Sequence, residues 1–271
     1  MIVTEVNLKD QTVEEIVATY AIDEDLLLDV QDPSEGARFL EKNGYTEVIL
    51  KYPTKNDIDT LGAYVKKDDV IFIYDEEPFL NLSNEYDRKD VNFILVDVIY
   101  KFSELYFKYL KTIDKKIRRI KSASKTRVRN SDLLSLFELQ NSLDDYIMGL
   151  KGNISVLTKI MTLLPKNEFL NDTKIECEQA LETATSYSKT VSNLKSTLEI
   201  ITNNFTNKRM ESLTIVNVSA LIITSTSGLY GMNVELPFAN RTDVFYWLLA
   251  GSLCLAVLVG LYLNRQLSNK K

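Results

Sequence analysis

The sequence predicts a mainly α-helical membrane protein, in which an α+β cytoplasmic domain sends long helices into a two-helix transmembrane domain. Three observations carry that prediction. Short β-rich segments precede residue 75, apolar residues recur every three or four positions from Val91 onward, and two uncharged apolar runs lie near the C-terminus.

Residues 1–90 read as an N-terminal cytoplasmic α/β domain. Thr46–Tyr52 and Ala63–Asp75 are β-rich, the second split by a turn at Lys66–Asp69, and acidic helix-like segments at Val13–Tyr20 and Asp23–Val30 precede them. Asp32-Pro33 and Tyr52-Pro53 interrupt the pattern. The opening MIVTEVNLKDQTVEE is charged and has no apolar core, so no signal peptide is expected.

Residues 91–170 read as a cytoplasmic helical hairpin. Leu95, Val98, Phe102, Leu105, Tyr109, Ile113, Ile117 and Ile120 form one apolar face, and the basic run KKIRRIK falls near the helix end, where positive charge suits the dipole. A basic, polar turn at Ser122–Asn130 follows. Ser131 is the expected cap of the second helix, whose apolar face includes Leu133, Leu136, Leu143, Ile147, Leu150, Ile154 and Leu157 until Pro165 stops it near Leu164.

A third helix is expected over 171–230, from near Asn171, with no Gly or Pro before Gly228. Tyr187, Val191, Leu194, Leu198, Ile201 and Phe205 form a heptad seam that runs into the first apolar stretch, making about 90 Å of unbroken helix. Such a rod delivers movement of a soluble domain to the membrane without a joint.

The first span, about 211–230, carries no charge from Leu213 to Tyr230. It is polar for a span, holding Thr214, Asn217, Ser219, Thr224, Ser225, Thr226 and Ser227, and an amide such as Asn217 costs several kcal/mol when it faces lipid. Asn207, Met210, Thr214, Asn217, Leu221, Thr224 and Gly228 share one stripe, with Leu213 beside it. Repeated around an axis, that stripe would line a pore. Helix packing also favours such small polar residues, and it accounts for Ser219, Ser225 and Ser227, which fall off the stripe.

Residues 231–244 form an extracytoplasmic loop and 245–263 the second span, opened by Phe245, Tyr246 and Trp247 as an interface belt would be. The tail 264–271 is basic. Lys208 and Arg209 before the first span and Arg265, Lys270 and Lys271 after the second put both termini in the cytoplasm by the positive-inside rule. The reading is therefore a multi-pass protein of the cell membrane.

Composition excludes several classes. The formal net charge is −6, which argues against a nucleic-acid partner and suits a cation-handling surface, though ordinary solubility explains it as well. There is no histidine, and Cys177 and Cys254 stand apart, so neither a His-based triad nor a Cys/His metal site is expected. No GxGxxG or GxxxxGK[ST] occurs to power nucleotide-driven transport. An enzyme is not expected.

Tyr230-Gly231-Met232-Asn233 ends the first span, with Glu235-Leu236-Pro237 just beyond it, a second span, a basic tail and a long helical domain upstream. This arrangement resembles the YGMN signature of the CorA family of magnesium channels. The resemblance implies a homo-oligomer, a pentamer, in the lipid bilayer. It implies passive uptake of hydrated Mg2+, with Tyr230, Gly231, Met232 and Asn233 as the selectivity filter and Glu235 as a loop acid. Asn207, Met210, Leu213 and Thr224 agree in type with the family's pore, whereas Asn217 and Ile222 depart from it. Intracellular Mg2+ closes such channels by bridging carboxylates, and Asp172 occupies a similar position; as a solvated acid it would equally suit the first turn of its helix. Gly231 and Asn233 would also serve as an ordinary helix C-cap. Two rivals remain: a transporter of Co2+, Ni2+ or Zn2+ on the same scaffold, and a membrane-anchored structural or sensing protein.

Overall fold

The computed structural model describes residues 2–32, 34–55, 57–75, 90–123, 129–232 and 242–268, and divides into two compact units, 1–196 and 197–271. The first unit opens with β1 (Val3–Asn7), α1 (Val13–Tyr20) and α2 (Glu24–Gln31), followed by β2 (Arg38–Lys42), β3 (Tyr45–Pro53), β4 (Ile58–Lys66) and β5 (Asp69–Tyr74). The strands form one sheet in the order β1-β5-β4-β3-β2, with β1 parallel to β5 and the other pairs antiparallel.

Local chemistry sets these boundaries. Thr12 and Glu15 form a reciprocal capping box: Glu15 N–H donates to Thr12 Oγ1 at 3.3 Å and Thr12 N–H donates to Glu15 Oε2 at 3.0 Å. Asp23 caps α2 by accepting from Asp25 N–H. The β2–β3 turn holds Asn43-Gly44, with Gly44 at φ 96°, the left-handed geometry that tight hairpins favour. Lys67 takes φ 58° in the turn expected at Lys66–Asp69.

Both faces of the sheet are covered. Ile49 and Ile73 face α1 and α2 through Ile16, Leu26 and Leu27, while Val48, Leu50 and Phe72 face the long helices through Ile94, Phe102 and Leu157. Alternate residues of β3 thus serve opposite cores, and each large apolar side chain so buried contributes roughly 1.5–3 kcal/mol. Gly62 lets α2 approach closely, because a Cβ there would sit 2.5 Å from Val30 Cγ2.

The long helices are α3 (Val91–Ala123), α4 (Asn130–Leu163) and α5 (Glu168–Tyr230). A buried polar joint holds α3 and α4 to β3. Asn153 Nδ2 donates to Lys51 O at 2.6 Å, Lys51 N–H donates to Asn153 Oδ1 at 2.9 Å, and Tyr106 Oη donates to the same carbonyl at 3.3 Å. Lys51 Nζ, itself buried, donates to Thr60 Oγ1 at 2.6 Å. Burial lowers the Lys51 pKa, opposed by Glu35, Asp32, Asp59 and Asp57.

Three differences from the sequence reading concern this unit. β1 and β2 are edge strands that the pattern does not announce. α4 opens at Asn130 after Arg129, so Ser131 is not its cap; Arg129 N–H donates to Asp132 Oδ2 at 3.1 Å instead. α5 starts at Glu168, a turn ahead of Asn171, because Phe169 and Leu170 are drawn into the core, Phe169 stacking on Tyr100. At Leu164 the backbone is extended, as a residue before proline must be.

Candidate functional site

The second unit holds the C-terminal part of α5 and α6 (Thr242–Ser268). Both helices are long and apolar enough to cross a membrane, and the apolar window of α5 has none of its residues buried. Phe245, Tyr246 and Trp247 stand exposed at the start of α6, with Leu253, Val257, Leu258 and Leu261 exposed along it. Exposed apolar surface on this scale requires an apolar medium or partner.

The two helices meet along a row of small residues. Ser252 and Ala256 are the buried positions of α6, and Gly260 continues the row at the same spacing of four. Ser219 Oγ donates to Ala256 O at 3.3 Å, and a Cβ on Gly260 would lie 3.2 Å from Ser219 Oγ and 3.7 Å from Ile215 Cγ2. Ser219 is thus a helix-contact residue, the role its place off the stripe suggested. The row Ser252, Ala256 and Gly260 escaped the sequence reading, although its spacing is the signal.

Asn207, Met210, Leu213, Thr214, Asn217, Leu221 and Thr224 are all exposed. At 100° per residue, their stripe falls on the side of α5 away from the Ile215–Ser219 contact with α6. The hydroxyls of Thr214 and Thr224 are satisfied within the helix, donating to Met210 O at 2.8 Å and Ala220 O at 3.0 Å. The amide of Asn217 makes no hydrogen bond to any described residue. One face of a single helix therefore offers two amides without a hydrogen bond among the described residues, two partly satisfied hydroxyls and three apolar side chains to whatever lies beside it.

At the end of α5, Gly231 N–H donates to Ser227 O at 3.0 Å and Gly228 O at 3.3 Å, with no left-handed residue among the described ones there. Met232 is exposed. The side chain of Tyr230, and Asn233 and Glu235 altogether, lie outside the described residues.

Asp172 is exposed on α5 in the first unit. It belongs to an acidic surround of Tyr100, whose phenol is pushed up first by Glu104, then by burial, Glu176, Asp172 and Asp97. Carboxylates of α3 and α5 thus converge there, yet no group of three metal-ligating side chains forms among the described residues. Asp69 accepts Ile2 N–H at 2.6 Å, and with Asp68 lies at the β4–β5 turn.

A sequence profile of the CorA-like Mg2+ transporter protein family matches residues 5–265. The chain belongs to that family. Its members are membrane transporters of divalent cations with two C-terminal helices, and the apolar pair α5 and α6 is this chain's version of them. Solved structures agree on the fold. The complete CorA magnesium transporter of Methanocaldococcus jannaschii superposes with a TM-score of 0.72 at 17% identity, over 97% of this chain and 89% of that one. Full-length CmaX gives 0.63 at 13%, over 95% and 87%. The ZntB cytoplasmic domain of Vibrio parahaemolyticus gives 0.50 at 9%, over 77% and 88%. Curated protein sequences returned no significant match.

Proposed function

We propose that this chain is the subunit of a homopentameric channel in the cell membrane that takes up hydrated Mg2+ passively. The observation that carries the reading is the stripe from Asn207 to Thr224, exposed on the side of α5 turned away from α6, with the amide of Asn217 in it making no hydrogen bond among the described residues. In lipid that amide would be costly; against a shared aqueous lumen it is solvated. Met210, Leu213 and Leu221 are then apolar constrictions that gate by excluding water.

Tyr230, Gly231, Met232 and Asn233 form the entry filter at the extracytoplasmic mouth, where the neutral amide of Asn233 bonds first-shell water without stripping it from the ion. Glu235 attracts cations to the loop. A divalent ion entering gains about 4.6 kcal/mol per 100 mV, twice the single-charge value, so the membrane potential suffices as drive. The division proposed is a cytoplasmic domain over 1–90, a hairpin over 91–170, a stalk and first span over 171–230, loop 231–244, second span 245–263 and tail 264–271, with both termini cytoplasmic.

Intracellular Mg2+ closes the channel through Asp172 and a carboxylate of the neighbouring subunit, a reading supported by the acids that converge on Tyr100. Purified protein in liposomes loaded with a Mg2+ indicator tests the function. Influx under an inward gradient and a negative interior is expected; its absence sinks the proposal. Adding Co2+, Ni2+ or Zn2+ in competition decides which other divalents share the path, and unchanged influx in Asn233→Ala would remove the filter assignment.

A further inference from the structure

A cavity of about 860 Å3 lies within the first unit, between the last turns of α3 and the first turns of α4. Lys116, Arg119 and Ala123 on α3, and Glu138, Ser142 and Asp145 on α4, recur at steps of three and four, so each helix turns one face into it. Buried Ile120 and Leu139 add apolar lining. The volume falls in the range of pockets that take small organic ligands.

The β3–β4 turn meets this cavity through Asp57. Tyr146 Oη donates to Thr54 O at 2.6 Å and Thr54 N–H donates to Asp57 O at 2.8 Å, which ties the turn to α4. Asp57 and Asp145 are near enough to repel: the Asp145 carboxyl is pushed up first by burial, then by Asp57 and Asp144.

Charge is graded along the cavity. Tyr109 of α3 meets Tyr146 of α4, their ring centres 6.4 Å apart, and the two helices run antiparallel from there to the hairpin end. Lys116, Arg119 and Arg129 therefore lie toward the hairpin end, and Asp145 and Asp57 toward the sheet. From Arg129 to Asp145 the chain advances roughly 24 Å along α4. The three cations form no ion pair with any described residue, whereas Arg118, beside them but outside the cavity lining, donates to Asp114 Oδ2 at 2.7 Å.

A ligand that uses both ends is elongated, anionic at one end and rich in hydrogen-bond donors at the other. Guanidinium forks match phosphate oxygens in pairs, and carboxylates accept from sugar hydroxyls and base amino groups. Glu138 suits the hydrated divalent ion that a polyphosphate carries, since such an ion takes one or two carboxylates beside the phosphates. Inorganic phosphate or a free amino acid would reach one end only.

We propose that the cavity binds a nucleoside polyphosphate, its phosphates on Lys116, Arg119 and Arg129 and its sugar and base on Asp57 and Asp145. No GxxxxGK[ST] loop accompanies these residues, and the proposal is for binding, not hydrolysis. It holds whether or not the chain conducts Mg2+.

Calorimetric titration of the full-length protein in detergent with MgATP, at constant free Mg2+, tests it, with Mg-tripolyphosphate and adenosine as the two halves of the ligand. Saturable binding of one MgATP per chain, tighter than either half, is expected. Lys116→Gln and Arg119→Gln should each weaken both MgATP and tripolyphosphate about tenfold, the loss of one hydrogen bond to a charged group. Asp145→Asn should weaken MgATP and leave tripolyphosphate as tight as before, a split that mere loss of packing would not give. Absence of MgATP binding, or binding untouched by Arg119→Gln, overturns the site. Tripolyphosphate as tight as MgATP, or an Asp145→Asn variant that loses both alike, overturns the place given to the nucleoside.

Discussion

Replacing Asn217 by Leu separates a lumen from a lipid face, because the two surroundings give opposite results. Asn217 is exposed, turned away from α6 and without a hydrogen bond among the described residues. If it faced lipid, the wild type would carry an unpaid amide worth ~2–7 kcal/mol, and Leu would remove that cost. At roughly 4 °C per kcal/mol for a unit of this size, the melting temperature in detergent should rise by about 8 °C or more. If it faces water, the amide is solvated and Leu brings less than ~1 kcal/mol, so the melt should stay within about 4 °C. Conduction then takes the effect. Leu213, position 217 and Leu221 lie one turn apart on one side, so the variant joins two apolar rings into about 12 Å of unbroken apolar wall. Such a wall disfavours water, and a barrier increase of only 1.4 kcal/mol lowers flux tenfold. Mg2+ influx into proteoliposomes and a thermal melt of the same preparation give both readings. A melt raised by 8 °C with unchanged influx would refute the lumen assignment.

Asn153→Leu strands the buried Lys51 N–H and loosens the joint between α4 and β3; a loss of ~2–3 kcal/mol, read as a lower melting temperature, is expected. Gly260→Leu forces a side chain into the space held by Ser219 Oγ and Ile215, and should cost ~1–3 kcal/mol and lower the melt, whereas Gly251→Leu, with nothing near its Cβ position, should not. Burial pushes the Cys177 thiol up to about 12, with help from Glu176 and Glu178. In a Cys254→Ala background, iodoacetamide at pH 8 should therefore leave native protein almost unlabelled and modify it readily in urea; fast native labelling would contradict the packing of α5.

What the sequence makes legible depends on whether a feature belongs to one element or to several. α3, α4 and α5 each repeat their apolar residues every three or four positions for thirty residues or more, so periodicity alone finds them. β1 and β2 are edge strands of five residues with a single buried side chain each, Val6 and Phe39, and that is too short a record for a period of two. Only Asn43-Gly44 marked the second of them, by the φ 96° its turn requires.

The same rule governs the sites. The stripe from Asn207 to Thr224 lies on one helix, and spacing places its members on one face before any neighbour is known. That this face turns away from α6 follows only once Ser219 meets Ala256 and Gly260. Asp172 is the opposite case. Its meaning depends on Asp97 and Glu104, some seventy residues earlier on α3, which flank Tyr100 at helical spacing; Asp172 joins them because Phe169 draws the start of α5 against that helix. A regulatory cation site there would have to be completed by carboxylates that no spacing within α5 predicts. Charge reversal at Asp97 or Glu104 should therefore alter Mg2+ inhibition as strongly as reversal at Asp172 if these acids act together, and inhibition that ignores all three would place the sensor elsewhere.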